Sequence, residues 1–274
     1  MWRKMRISII LYRIKSWIKH RLTAWNSSGE GIHSPYLFYL VRMLVRDKNS
    51  YYCWQDIEHR RECMLRAPKL IHIQDYGSGG ISGKKDREQV VSDIAKTSME
   101  SAKNAQLFFR IIVFLTNDLG RALQVVELGT NLGITTAYLA AANKQNTITT
   151  FEGSHELIEM AKLNWEKLNL SSIHVVEGDI DQTLTKHIKQ PIDFAFLDAN
   201  HTYKATWRYF DYLASFAHSK TIFAVDDIHY SPEMEHVWER IKNDERVTTT
   251  MDFYDFGLVF FDTHYIRKHY RLTI

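Results

Sequence analysis

The sequence is poor in proline and cysteine and has no long uninterrupted apolar run. Four prolines in 274 residues exclude a proline-rich linker. The two cysteines, Cys53 and Cys63, have no metal-ligand pattern beside them, so we interpret them as structural thiols in a reducing compartment. No segment approaches the roughly 18 apolar residues of a membrane span, and none has the features of a secretory signal. We therefore expect a cytoplasmic globular protein.

Charge is distributed unevenly along the chain. Residues 1–29 contain seven basic residues and no acidic residue, whereas the whole chain has a net charge of +3. The remaining residues therefore have a net charge of −4, which predicts no nucleic-acid partner.

The basic segment, residues 1–30, is predicted to form an amphipathic helix. Its apolar residues recur on one helical face, at Ile7, Ile10, Leu11, Ile14 and Ile18. Such a helix can rest on an anionic membrane surface, pack on its own domain or contact a partner subunit, as in a homodimer. Ile9 and Tyr12 interrupt the polar face, so we favour packing over peripheral membrane contact.

From about residue 107 onward, apolar strand-like segments alternate with amphipathic helical segments. The predicted strands are residues 123–129, 147–153, 173–179, 192–199, 220–227, 246–254 and 256–261. This alternation predicts a parallel sheet with helices on both faces, whose ligands bind at the carboxyl ends of the strands. The first five strands all end in carboxylates: Glu127, Glu152, Asp179, Asp198 and the pair Asp226 and Asp227.

Two glycine-rich stretches are candidates for a cofactor loop. "VVELGTNLG", residues 125–133, lies between a strand and a helix, as a loop that binds a cofactor should. "DYGSGG", residues 75–80, precedes a polar, turn-rich segment and lacks the spacing of a P-loop. We therefore assign the cofactor to the later loop. The earlier one belongs to an N-terminal extension, residues 31–97, which we interpret as a lid or acceptor-binding segment. The alternative for this loop is a solvated surface loop.

Several phrases resemble the successive motifs of class I S-adenosylmethionine-dependent methyltransferases: "VVELGTNLGITTAYLA", "TFEGSHELIEMAKLNW", "VVEGD" and "IDFAFLDANHTY". The first is most similar to the branch that contains the catechol and caffeoyl-CoA O-methyltransferases. "GIHSPYLF" and "VDDIHYSPEME" resemble uncharacterised methyltransferase-like proteins typical of Bacteroidetes. The resemblance implies a Rossmann-like α/β domain over residues 98–274. Its sheet would have seven strands, mostly parallel with one antiparallel, after an α-rich N-terminal extension.

The resemblance also implies a site for the methionyl end of S-adenosyl-L-methionine. The backbone of Gly129, Thr130 and Gly133 would lie against it, and Glu127 would face its ammonium group. A nicotinamide cofactor is the chemical alternative, but it prefers G-x-G-x-x-G, and Asn131 occupies the middle glycine position.

The nucleoside end of the cofactor would meet the next two strand ends. Glu152 would accept hydrogen bonds from both ribose hydroxyls. Asp179, with the backbone of Gly178 and Ile180, would meet the adenine amino group. The alternative for Glu127, Glu152 and Asp179 alike is a surface carboxylate at a strand end.

The residues predicted to do chemistry follow the fourth and fifth strands. Asp198, Asp226 and Asp227 match three metal ligands of the catechol-type branch and would suit Mg²⁺, Mn²⁺ or Ca²⁺. The branch usually has Asp-Asn where this chain has Asp226-Asp227, and the alternative for that pair is helix capping. Asp198 is also expected to contact the cofactor. His201 stands where the branch has a catalytic lysine and is a candidate base, a metal ligand or a turn residue. His229, which follows the Asp226-Asp227 pair, is a weaker candidate for the same pocket.

These features predict methyl transfer to a small-molecule acceptor, on oxygen, with metal assistance left open. One alternative is a catalytically silent cofactor-binding module that associates with a membrane or protein through its N-terminal helix. Another is an aminopropyl-type transferase on the same fold. Retention of Asp198 and His201 beside an intact cofactor loop favours an enzyme.

Overall fold

The computed structural model describes residues 2–24, 31–32, 34–47, 49–74, 76 and 86–273. The helices of these residues are α1 (Trp2–Thr23), α2 (Pro35–Arg46), α3 (Tyr52–Arg66), α4 (Val91–Ser98), α5 (Ala102–Leu119), α6 (Ile134–Ala141), α7 (His155–Lys167), α8 (Ile180–His187), α9 (Tyr203–Ala214) and α10 (Pro232–Asn243). The strands are β1 (Leu70–Gln74), β2 (Asp86–Val90), β3 (Gln124–Leu128), β4 (Thr147–Glu152), β5 (Ile173–Glu177), β6 (Ile192–Leu197), β7 (Ala217–Asp226), β8 (Thr249–Asp252), β9 (Phe256–Phe260) and β10 (Lys268–Arg271).

The main sheet has eight strands in the order β10-β8-β9-β7-β6-β3-β4-β5. β3, β4 and β5 pair in parallel, with Val125 opposite Ile148 and Ile148 opposite Ile173. β9 runs antiparallel to both β7 and β8. The predicted α/β class and mostly parallel sheet are confirmed.

The sheet has one strand more than predicted, because β10 pairs in parallel with β8. β10 contains four residues, of which only Tyr270 is buried, so it lacks the apolar run that marks the other strands. In contrast, all residues of β6 and of β9 are buried. Burial on both faces explains the continuous apolar character of those two strands.

The chain divides into two compact units, residues 47–194 and residues 1–46 with 195–274. In the unit of residues 47–194, part of the N-terminal extension packs on α6, since the ring of Trp54 lies edge-on to Tyr138 at 6.3 Å. β1 and β2 form a separate antiparallel pair, with Leu70 opposite Val90. β1, "LIHIQ", has the alternating burial of a strand with one face packed, whereas β2, "DREQV", is too polar to be recognised in sequence. The predicted boundaries at residues 30 and 97 stay predictions.

In the other unit, α1 packs against its own unit, but not by the face that its sequence predicts. The Tyr12 hydroxyl donates to Glu235 Oε2 at 2.5 Å, and the Tyr254 hydroxyl donates to the Arg13 carbonyl at 2.8 Å. The packed face is therefore the polar one. The apolar residues remain between 46% and 81% exposed: Ile10, Leu11, Ile14, Trp17, Ile18 and Leu22. Within the described residues, no helix has both the length and the apolarity that crossing a membrane requires.

A buried carboxylate anchors the C-terminal half of α1. His20 Nε2 lies 3.1 Å from Asp252 Oδ1, and His229 Nε2 lies 2.9 Å from Asp252 Oδ2. All three side chains are less than 10% exposed. Burial alone would raise the pKa of Asp252, but hydrogen bonds with the two histidines and attraction to them outweigh burial and hold it well below its usual range. The anchor therefore depends on an ionised Asp252.

Replacing Asp252 tests the anchor. Asp252→Asn should lower the free energy of unfolding at pH 7 by about 3 kcal/mol, because two buried imidazoles lose their charged partner. Since the native pKa is depressed, the contribution of Asp252 is present above its ordinary value of 3.8 and is lost as the pH falls below it. Urea unfolding at several pH values measures both effects, and exposed Asp255→Asn serves as the control. A change below about 0.5 kcal/mol at pH 7 would contradict the anchor.

Candidate functional site

The loop between β3 and α6 takes an alternating left-handed backbone. The φ angles are 99° at Gly129, 51° at Asn131 and 72° at Gly133, a region that glycine and asparagine tolerate best. A Cβ atom at Gly133 would lie 2.7 Å from both Ala161 Cβ and Trp165 Nε1. Glycine at 133 is thus required by packing against α7, whatever binds at the loop.

Glu127, the predicted partner of an ammonium group, is completely buried at the end of β3. The hydroxyls of Thr136 and Thr150 donate to its Oε2 at 2.5 and 2.6 Å. Thr150 also lies 2.6 Å from the hydroxyl of Thr130, which therefore donates to it. Glu127 Oε1 is buried and has no hydrogen-bond partner among the described residues. Burial raises the pKa of Glu127 to about 7, against the opposing effect of the two hydroxyl donors.

Glu152, the predicted ribose ligand, lies at the end of β4 and is half-buried. Its Oε1 accepts hydrogen bonds from the backbone amides of Gly153 and Ser154, and its Oε2 accepts one from the Asn131 amide at 2.9 Å. Asn131 in turn donates from Nδ2 to the Ser98 carbonyl at 2.8 Å. The glycine loop therefore fixes the orientation of this carboxylate.

Asp179, the predicted adenine ligand, lies at the N-terminus of α8. Its Oδ1 accepts a hydrogen bond from the Asp181 amide at 2.9 Å, so the side chain caps the helix. Gly178 precedes it with a φ of 122°, and Ile180 begins the helix. All three predicted adenine-site residues are only half-buried. The cap gives Asp179 a structural role that is independent of any ligand.

Of the earlier glycine-rich stretch, residues 75–80, the structure describes only Tyr76, because residues 75 and 77–85 lie outside the described part of the chain. The Tyr76 ring lies so close to Gly153 that a Cβ atom there would be 2.4 Å from Tyr76 Cδ2. Gly153 directly follows Glu152. The stretch thus contacts the strand end that carries the predicted ribose ligand.

A second group of predicted residues forms a small cluster in the unit that contains residues 195–274. Asp198 follows β6, and Asp227 follows β7 in a left-handed conformation with φ 54°. His201 lies between them, with Nε2 3.4 Å from Asp198 Oδ1 and Nδ1 3.7 Å from Asp227 Oδ2. The three side chains are 20–34% exposed. The centroid of the Tyr230 ring is 6.3 Å from that of His201. His201 is therefore flanked by carboxylates and is accessible.

The predicted metal site finds no support. Within the described part of the chain, no three His, Cys, Asp or Glu side chains are arranged to hold a metal ion. The imidazole of His201 lies near both Asp198 and Asp227. The capping alternative for Asp226 and Asp227 is not observed either, since Ser231 caps α10.

His229, the weaker candidate base, belongs to the α1 anchor. It is 6% exposed, and its Nε2 pairs with Asp252. Ser154 occupies the N-cap position of α7, but its side chain makes no capping hydrogen bond.

Sequence reasoning missed four residues that shape the site: Thr136, Thr150, Asn131 and Tyr230. Thr136 lies in the quoted motif "VVELGTNLGITTAYLA", so its spacing from Glu127 could have been used as a signal. Asn131 stands between two glycines, where a left-handed residue is plausible. No pattern in the sequence points to Thr150 or Tyr230, because their contacts come from the pairing of elements.

The comparisons with known proteins agree with this geometry. Residues 126–228 match a protein-family model described as a methyltransferase domain. All the predicted site residues, from Glu127 to Asp227, lie inside the matched range. No curated protein matches the chain.

Solved structures share the fold at low sequence identity. An O-methyltransferase from Bacillus cereus in complex with SAH has 16% identity and a TM-score of 0.55, covering 78% of this chain and 91% of that one. An SAH-bound methyltransferase from Podospora anserina has 13% identity and a TM-score of 0.54, with coverage of 84% and 96%. A SAM-bound O-methyltransferase from Streptomyces achromogenes, involved in tomaymycin synthesis, has 19% identity, a TM-score of 0.52 and coverage of 60% and 82%.

The family match and the fold point to the same class of protein. Residues 126–228 match a methyltransferase domain, and the mostly parallel sheet has the fold of the solved methyltransferase structures. The predicted resemblance to S-adenosylmethionine-dependent methyltransferases, and the prediction of an enzyme, are confirmed.

The buried carboxylate gives a pH-dependent prediction. Because the native pKa of Glu127 is raised from 4.5 to about 7, wild-type stability should fall as the pH rises through this window. Glu127→Gln removes the titrating group. The free energy of unfolding of the variant relative to wild type should therefore increase by about 3 kcal/mol between pH 4.5 and 8.

Urea unfolding of both proteins across this pH range measures the difference. Glu159→Gln is the matched control, because Glu159 is an exposed carboxylate on α7. A stability difference that stays constant with pH would show that Glu127 titrates normally.

Proposed function

We propose that this protein transfers the methyl group of S-adenosylmethionine to a hydroxyl oxygen of a small-molecule acceptor. The main observation behind this proposal is the hydrogen bond between the β3–α6 loop and the carboxylate at the end of β4. The loop amide of Asn131 holds the carboxylate of Glu152, which is half-buried and already oriented. The descriptions of the Bacillus and Streptomyces structures as SAH-bound or SAM-bound O-methyltransferases support the same cofactor and reaction.

The residues present suit the cofactor. Glu127 has one buried oxygen without a partner, which fits the demand of an ammonium group for an anionic acceptor. Glu152 is half-buried at the end of β4, and three backbone amides orient its carboxylate. We propose Glu127 for the methionyl end and Glu152 for the ribose. Gly129, Thr130 and Gly133 supply the loop backbone, while Gly178, Asp179 and Ile180 lie at the proposed adenine end.

The acceptor chemistry is assigned to His201. The sulfonium of the cofactor supplies an activated methyl group. His201 takes the acceptor hydroxyl proton on a ring nitrogen as the oxygen gains its bond to carbon, and the carbon–sulfur electron pair leaves with sulfur. Asp198 and Asp227 hold the ring from its two sides and neutralise the charge that it gains. The contact distances of 3.4 and 3.7 Å are long enough for a hydroxyl to compete for a ring nitrogen.

No step is assigned to a metal ion, because the described carboxylates do not form a suitable ligand set. The sequence-based expectation of Mg²⁺, Mn²⁺ or Ca²⁺ at Asp198, Asp226 and Asp227 is tested directly by the chelator experiment below. Tyr76 is proposed to cover the cofactor side, since its ring lies against Gly153, next to Glu152.

Cofactor binding is the first test of this function. S-adenosylhomocysteine should raise the melting temperature of the wild-type protein. Glu152→Gln should weaken its binding by about 1–3 kcal/mol, because the ribose hydroxyls lose a charged acceptor. Isothermal titration calorimetry measures the affinity.

Glu159→Gln is again the matched control, since Glu159 lies on the exposed surface of α7. Unchanged affinity in Glu152→Gln would remove Glu152 as the ribose ligand. Binding of NAD in place of S-adenosylhomocysteine would refute the proposed function as a whole.

The second test concerns the transfer step, once a screen of hydroxylated small molecules has identified an acceptor. His201→Asn should reduce kcat by about 10²–10⁴-fold while leaving cofactor affinity unchanged, because it removes the base and not the binding residues. His236→Asn, at an exposed position on α10, is the control. Wild-type activity should survive EDTA. Loss of activity in EDTA with recovery on adding Mg²⁺ would instead restore a metal mechanism.

A further inference from the structure

The strongest feature outside the proposed catalytic site is the outward side of α1. Six large apolar side chains form it, and we call them the α1 outer face: Ile10, Leu11, Ile14, Trp17, Ile18 and Leu22. Leu22 is 81% exposed, and even the most covered member, Ile18, is 46% exposed. At about 100° per residue, the six fall within an arc of about 140°. They form one stripe, which near its C-terminal end also contains the exposed Arg21.

The anchored side of the helix holds this stripe outward. Tyr12, Ser16 and His20 follow one another at intervals of four residues on the opposite side. Ser16 and His20 are less than 10% exposed, and Tyr12 bonds to Glu235. Turning the stripe inward would break the buried contact of His20 with Asp252. The exposure is therefore built into the packing of the helix.

The charge of the segment selects the partner. Residues 1–29 contain seven basic residues and no acidic residue. Lys15 and Arg21 are exposed. At about 100° per residue, Lys15 lies at one edge of the stripe and Arg21 lies within it. Long basic side chains at such positions can extend to anionic head groups while the apolar side chains enter the acyl boundary.

A second copy of this chain fits the stripe less well. Two α1 outer faces packed together would bring two sets of basic residues close, and neither helix has an acidic residue to offset them. An anionic lipid surface supplies the missing charge. Trp17, at the edge of the stripe, is a residue type enriched at membrane interfaces.

We propose that the α1 outer face docks the protein on the surface of an anionic membrane, with α1 lying in the plane of the interface. The helix enters only the head-group region, roughly 5–10 Å deep, and does not span the bilayer. Apolar burial and attraction to anionic lipid act together, so docking requires both and weakens at high salt. This role is independent of the methyl-transfer chemistry.

Vesicle flotation of the full chain tests the proposal. The protein should float with vesicles of phosphatidylcholine containing 30% phosphatidylserine, and at least about tenfold less with pure phosphatidylcholine. The double variant Ile14→Glu/Ile18→Glu should lose at least about tenfold of the binding to anionic vesicles. Ile266→Glu is the matched control, because Ile266 is 74% exposed but lies outside α1.

Circular dichroism and the melting temperature should show that all variants remain folded. Absence of flotation with anionic vesicles, or equal loss of binding in Ile266→Glu, would overturn the proposal. Sedimentation of the lipid-free protein provides a further test. A wild-type dimer that the Ile14→Glu/Ile18→Glu variant converts to monomer, without vesicle binding by either protein, would assign the stripe to a second copy instead.

Discussion

The buried carboxylate of Glu127 is the constraint on which the β3–α6 loop depends. A carboxyl group without water needs donors, and the hydroxyls of Thr136 and Thr150 supply them from α6 and β4. These two hydrogen bonds connect β3 to the neighbouring strand β4 and to the following helix α6. The left-handed residues Gly129 and Asn131 then turn the chain between fixed ends, and the Asn131 amide reaches Glu152. One buried acid thus organises the loop and, through it, the next strand end.

The sheet was largely predictable because most of its strands have apolar runs and the helices between them are amphipathic, so the sequence pattern marked both. β2 and β10 were not predictable, since their mostly polar residues gain strand structure only from pairing with β1 and β8. The orientation of α1 could not be predicted for a different reason. An apolar stripe normally packs inward, but here His20 contacts Asp252, 232 residues away, and the polar side becomes the packed one. Sequence periodicity contains no information about such a distant ionic partner.

For the candidate site, the sequence located the carboxylates at the strand ends but not the hydrogen bonds that they make. Glu152 and Asp179 accept hydrogen bonds from backbone amides, and these bonds fix the orientation of each carboxylate. The predicted three-aspartate metal site illustrates the same gap. Residue spacing indicated three acids at adjacent strand ends, whereas in the structure the imidazole of His201 lies near two of them. Side-chain direction, rather than position in the chain, decides between a metal ligand and an orienting group.

One short segment, residues 227–230, contacts both α1 and His201. Asp227 contacts His201, His229 completes the α1 anchor, and Tyr230 lies under the guanidinium of Arg13 at 5.2 Å. Spatial continuity alone does not establish energetic coupling between a surface and a site. A movement of α1 would, however, disturb the residues beside His201. Docking that leaves the site unchanged therefore requires that α1 stays in place. The outer face is already directed away from the anchored side, so the protein can meet a membrane without moving α1. Docking of that kind leaves the cluster intact.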